Sequence, residues 1–130
     1  MSRIILIRLQ PPLEKGRASI YDLGDAEEKM GTGPTDNDES LKDYVRTKME
    51  GLLEQGDRKF VIDLALVKWV SSSEVGMMLA WYRLASKYKG TLVLANLSQS
   101  IGEVMKVTRL DTVMKVFGSI PDAKKHLASS

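Results

Sequence analysis

Apolar residues along the chain fall into short runs separated by polar, glycine-rich or charged stretches, and the spacing within each run assigns it to strand or helix. Residues 3–9 are mostly β-branched and aliphatic, and Pro11-Pro12 then ends any hydrogen-bonded ladder because proline has no N–H to give. A strand and a stop are predicted. Residues 18–23 alternate imperfectly, with Ala18, Ile20 and Asp22 on one side and Ser19, Tyr21 and Leu23 on the other, and predict a second strand. The glycine- and acid-rich stretch 24–38 reads as a long loop. Ser40 with Asp43 three residues later resembles a capping box. Leu41, Val45, Met49, Leu52 and Leu53 then recur at near-helical spacing until Gly56, so an amphipathic helix follows.

Lys59 to Leu64 is a short apolar strand containing Asp63, and Ala65-Leu66-Val67 with Trp69-Val70 reads as the same buried strand carried through to its C-terminal end. Between Ser73 and Lys89 two apolar stripes, Val75-Met78-Leu79-Tyr82 and Met77-Trp81-Leu84-Tyr88, predict a helix buried on much of its circumference. Residues 91–95 form the next strand. Ser100 with Glu103 opens a helix whose inward positions are Ile101, Val104, Met105 and Thr108; residues 113–117 hold a last short strand, and Pro121 starts a closing helix through Leu127. The order β-β-α-β-α-β-α-β-α predicts an α/β fold: a mixed, mainly parallel sheet of four to five strands covered by about four helices. At 130 residues the chain suits a single domain, 1–130.

Composition mainly excludes. Lys and Arg total 19 against 17 for Asp and Glu, a formal charge of +2 that speaks against a dedicated nucleic-acid binder. With no cysteine there is no disulfide, thiolate nucleophile or cysteine zinc site, which fits a reducing compartment, and a cytoplasmic location is expected. The run Ile4–Ile7 is too brief for a signal peptide, and no stretch approaches the roughly 18 apolar residues of a membrane span, so no membrane insertion is expected. The single histidine, His126, is expected at the surface beside Lys124 and Lys125. No metal site is expected either. Asp36-Asn37-Asp38-Glu39-Ser40 has Leu41 where a calcium loop needs its glycine. Gly31-Thr32-Gly33-Pro34 has no GK[ST] after it and no predicted strand before it, so it reads as a solvated turn rather than a phosphate loop. No cofactor is implied.

The most informative segment is Val70-Ser71-Ser72-Ser73-Glu74-Val75-Gly76, where an apolar strand gives way to the long buried helix. One account is structural: serine is a preferred N-cap, Glu74 complements the helix dipole in the first turn, and Gly76 permits close packing. The other is that one hydroxyl accepts a phosphoryl group at an exposed sheet edge. Residue types alone leave both open. A serine hydrolase is excluded, because the nucleophile elbow needs glycine two before and two after the serine, and neither Ser72 nor Ser73 has that arrangement. With one histidine and no cysteine the chain carries little catalytic equipment, and no enzymatic activity is expected.

From Phe60 onward the pattern resembles the STAS family, the domain shared by sulfate transporters and bacterial anti-sigma factor antagonists. The resemblance runs through Phe60-Val61-Ile62-Asp63-Leu64, Val67-Lys68-Trp69-Val70, Ser72-Ser73, Gly76, Leu92 to Ser98, Val104 to Asp111, Val116-Phe117 and Pro121-Asp122-Ala123. In antagonists of this type the segment reads Asp-Ser-Ser-Gly-x-Gly, and its first serine is phosphorylated by the cognate anti-sigma factor, a serine kinase. The resemblance therefore implies Ser72 as phosphoacceptor, with Ser73 and Ser71 behind it, and Ser71, Ser73, Glu74, Val75 and Gly76 as partner-binding residues. Its partners would be an anti-sigma factor serine kinase or related regulatory protein, with room for a phosphatase. This sequence departs twice, with Ser71 in place of the aspartate and Glu74 in place of the first glycine. A phosphate roughly 5–6 Å from Glu74 near the surface would be disfavoured by about 1–2 kcal/mol. The alternative keeps the fold and drops the chemistry: a constitutive, non-phosphorylated interaction module in a regulatory or transporter-associated assembly.

Overall fold

The computed structural model describes residues 3–24, 27–35 and 38–129. Its strands are β1 (Ile4–Gln10), β2 (Arg17–Asp22), β3 (Glu28–Gly33), β4 (Lys59–Asp63), β5 (Thr91–Ala95) and β6 (Val116–Phe117). Its helices are α1 (Leu41–Glu54), α2 (Ser72–Lys87), α3 (Gln99–Val107) and α4 (Ile120–Ala128). The six strands form one sheet in the order β3-β2-β1-β4-β5-β6. β1, β4, β5 and β6 are mutually parallel, while β2 runs antiparallel to both β1 and β3. The α/β class and the mixed, mainly parallel sheet agree with the sequence pattern.

Alternation along the strands divides the apolar residues between two layers. Ile5, Ile7, Phe60, Ile62, Leu92 and Leu94 pack with Val45, Met49 and Leu53 of α1, Met78 and Trp81 of α2 and Ile101 and Met105 of α3. On the other face Leu6, Val61, Val93 and Ala95 pack with Ala123 and Leu127 of α4. The central strands read as continuous apolar runs because both their faces are covered. The stripe Met77-Trp81-Leu84-Tyr88 belongs to the larger layer, and the Trp81 indole donates to the Lys42 carbonyl of α1 at 3.2 Å.

The sheet has six strands rather than four to five, and the extra one is β3, which runs through the predicted loop and the predicted Gly31-Thr32-Gly33-Pro34 turn. Its apolar partner comes from elsewhere in the chain. The Tyr44 ring of α1 lies directly against the Gly33 backbone, so close that a Cβ at residue 33 would overlap the ring. An edge strand that borrows a tyrosine and needs glycine beneath it shows no apolar alternation of its own. Gly33→Ala is expected to destabilise the fold by about 1–3 kcal/mol through overpacking, measured by urea denaturation. Gly31→Ala should cost much less, since the nearest atom to its Cβ would be the Tyr44 hydroxyl at 3.7 Å. Asp25, Ala26, Asp36 and Asn37 of the predicted acidic loop lie outside the described residues.

Three boundaries also differ. β4 ends at Asp63, and residues 64–71 form an irregular segment instead of continuing the strand. The cap of α3 is Ser98, whose hydroxyl accepts from the Ile101 N–H at 3.2 Å, rather than Ser100. The last strand is only Val116–Phe117, because the preceding residues form a 3-10 turn that sends Met114 into the core. His126 is half-buried rather than simply on the surface, its ring centroid 5.0 Å from that of Phe117. Among the described residues no helix is long and apolar enough to cross a membrane.

Candidate functional site

The 64–71 segment lies at the C-terminal ends of the central parallel strands, where open α/β sheets commonly place their functional residues. A buried polar network holds its base. Asp63, 1% exposed, accepts from Arg8 Nε at 2.7 Å, from the Ala65 N–H at 3.0 Å and from Asn96 Nδ2 at 3.0 Å. Asn96 holds φ 60 at the end of β5, a left-handed conformation that asparagine tolerates better than most residues. The hydrogen bond from Arg8 to Asp63 raises the Arg8 pKa above its ordinary value despite partial burial, and the guanidinium lies 5.2 Å from the centroid of the Tyr21 ring. The Asp63 bond to Ala65 bends the chain out of the sheet, which is why the apolar run does not continue as strand.

Further ties hold the segment along its length. The Leu64 N–H donates to the Ala95 carbonyl and the Val67 N–H to the Leu64 carbonyl, both at 3.0 Å. The Ser98 hydroxyl donates to the Lys68 carbonyl at 2.8 Å. Val67 and Val70 point into the core, while Leu66 is 50% and Trp69 68% exposed. The sequence pattern places both exposed residues in a buried strand. The residue able to correct this was Asp63: a carboxylate in an apolar run, two positions before an N–H it can accept, is a turn signal.

The three serines then separate in role. Ser71 is the N-cap of α2. Its hydroxyl accepts from the Glu74 N–H at 3.4 Å, and a Glu74 carboxylate oxygen accepts from the Ser71 N–H at 3.1 Å, a reciprocal capping box. The Ser71 hydroxyl also donates to the second Glu74 oxygen. Ser72 and Ser73 occupy the first two helical positions and are exposed. Thus Ser71 through Glu74 form one turn, with the Ser71 hydroxyl and Glu74 carboxylate engaged with each other. Val75 faces inward, 7% exposed, and its side chain is part of the core rather than of the surface. Gly76 is exposed, and a Cβ there would meet nothing within 4 Å, so it serves no close packing within the chain.

Comparison with known proteins agrees with this architecture. The family model described as "Mlab, STAS domain" matches residues 38–117, more than half of the chain. The crystal structure of a candidate anti-sigma factor antagonist, TM1081 from Thermotoga maritima, is similar with a TM-score of 0.60 at 19% identity, covering 67% of this chain and 75% of that one. The NMR structure of TM1081 is similar with a TM-score of 0.60 at 20% identity, covering 67% and 70%. At these identities the structural likeness establishes the fold. The matched segment spans β4, the 64–71 segment, the serine turn and all of α2 and α3, and the chain belongs to the STAS domain family.

Proposed function

We propose that residues 1–130 act as one regulatory domain of the anti-sigma factor antagonist type, without catalysis of its own. In this reading the domain binds an anti-sigma serine kinase in the cytoplasm and is released when Ser72 is phosphorylated, with a phosphatase to reset it. The observation that carries the reading is the division of labour among the serines. Ser71 takes the capping role, so the exposed Ser72 hydroxyl can be modified without dismantling the start of α2. Family membership and the description of the Thermotoga maritima neighbour support the same class.

Electrostatics at the turn oppose one another. The α2 N-terminus favours a phosphate by about 0.3–1 kcal/mol, against the penalty from Glu74. Glu74 is already turned back onto Ser71, so it need not move to admit the phosphoryl group. Against a bound partner the dianion would lose water without gaining a counter-charge, which is ample for release.

Incubation with the cognate kinase and ATP, followed by mass-spectrometric site mapping, should place the phosphate on Ser72. Ser72→Ala should abolish incorporation, Ser73→Ala should not, and Ser72→Asp should weaken partner binding by about 30-fold, equivalent to about 2 kcal/mol. Incorporation that survives Ser72→Ala would sink the assignment. The completed capping box favours a second reading, the constitutive module with Glu74 as built-in charge. That reading expects Glu74→Gly to alter partner affinity while ATP never does.

A further inference from the structure

Away from the serine turn, a cavity of about 350 Å³ opens between β3 and α1. Ile20, Met30 and Leu52 supply its apolar wall, and Tyr44, Thr47 and Lys48 line it from the helix. Glycine keeps it open from both sides, Gly31 on the strand and Gly51 on the helix. Gly51 is exposed in the interior of α1, where glycine disfavours the helix relative to alanine, and a Cβ there would meet nothing within 4 Å. Packing within the chain therefore does not account for it.

Two polar groups at the cavity have neither a hydrogen-bond acceptor nor an ion-pair partner among the described residues. Tyr44 is 8% exposed, with Gly33 fixing its ring, and its hydroxyl makes no hydrogen bond among the described residues. Burial raises the phenol's pKa, a shift the Glu39 carboxylate reinforces and Arg17 opposes, so the hydroxyl remains a donor at neutral pH. The Lys48 ammonium lies 5.7 Å from the centroid of the Tyr44 ring and forms no ion pair among the described residues. Asp43 and Glu50 of the same helix are engaged by Arg46. A neutral donor beside a cation with no ion pair, at one side of an apolar pocket, can orient an amphipathic anion, the Lys48 and Arg17 charges being set against the Glu39 carboxylate.

We propose that the β3–α1 cavity binds a small amphipathic carboxylate, its head between the Lys48 ammonium and the Tyr44 hydroxyl and its hydrocarbon body against Ile20, Met30 and Leu52. This site is separate from the serine turn and does not depend on the function proposed there. NMR titration of the full chain with sodium octanoate, with 1-octanol and with acetate tests it. Octanoate should give saturable amide shifts at Gly31, Tyr44, Lys48, Gly51 and Leu52. Octanol should bind about tenfold more weakly, because a charge-assisted hydrogen bond is lost. Acetate, without the apolar body, should not saturate. Lys48→Gln should bring octanoate down to the octanol level. Gly51→Leu, which fills the cavity while favouring the helix, should abolish binding of both. Absence of saturable shifts at these residues, equal binding of octanoate and octanol, or octanoate binding that survives Gly51→Leu would each overturn the proposal.

Discussion

Asp63→Ala is expected to lower stability by about 3–5 kcal/mol, the range for removing one partner of a buried ion pair. The loss is asymmetric. After Asp63→Ala the half-buried Arg8 can take up water, while the exposed Ala65 N–H and the half-buried Asn96 amide lose the acceptor that ties them to the end of β4. Arg8→Met should cost at least as much, because it leaves the Asp63 carboxylate, 1% exposed, buried without its cation, and a double-mutant cycle between the two positions should show strong coupling. Thermal unfolding by circular dichroism should show the melting temperature of Asp63→Ala reduced by about 10–15 °C. Because the same carboxylate holds the base of the 64–71 segment, hydrogen exchange at Ala65 and Val67 should accelerate beyond what global destabilisation explains. Unchanged exchange there would show that Asp63 serves the sheet and not the segment.

Trp81→Ala should be comparably damaging, by about 3–5 kcal/mol. The indole is 1% exposed and fills the space between α1 and α2, and its N–H satisfies the Lys42 carbonyl in the first turn of α1. Trp81→Phe separates these contributions, keeping most of the ring volume while losing the hydrogen bond, and should cost about 1–2 kcal/mol. Urea denaturation followed by circular dichroism measures both. The remaining tryptophan, Trp69, is 68% exposed and should be readily quenched by iodide in the folded Trp81→Phe protein. A shielded Trp69 would mean that the exposed side of the 64–71 segment is covered in solution.

The legible elements were those whose burial is local or two-sided. Phe60–Leu64 and Leu92–Ala95 reveal themselves because central parallel strands are apolar throughout, and α1 does so because its inward stripe follows one period. β3 was hidden because the packing of an edge strand came from Tyr44, eleven positions beyond Gly33, and its own contribution was a missing side chain. The 64–71 segment was misread because Leu66 and Trp69 are apolar yet outward, and composition does not report direction. At the candidate site a helix start was legible from serine's N-cap preference and from Glu74 in the first turn. Which hydroxyl the cap consumes depends on backbone angles one residue apart, the same subtlety that moved the α3 cap from Ser100 to Ser98.

Ser98 joins two parts of the molecule that lie thirty positions apart. One hydroxyl oxygen accepts from the Ile101 N–H and, through its own hydrogen, donates to the Lys68 carbonyl. The first turn of α3 and the middle of the 64–71 segment therefore share a fastening, and a displacement that pulls the Lys68 carbonyl outward also loosens the start of that helix. The segment before the serine turn is thus less a free loop than a strap buckled to the start of α3.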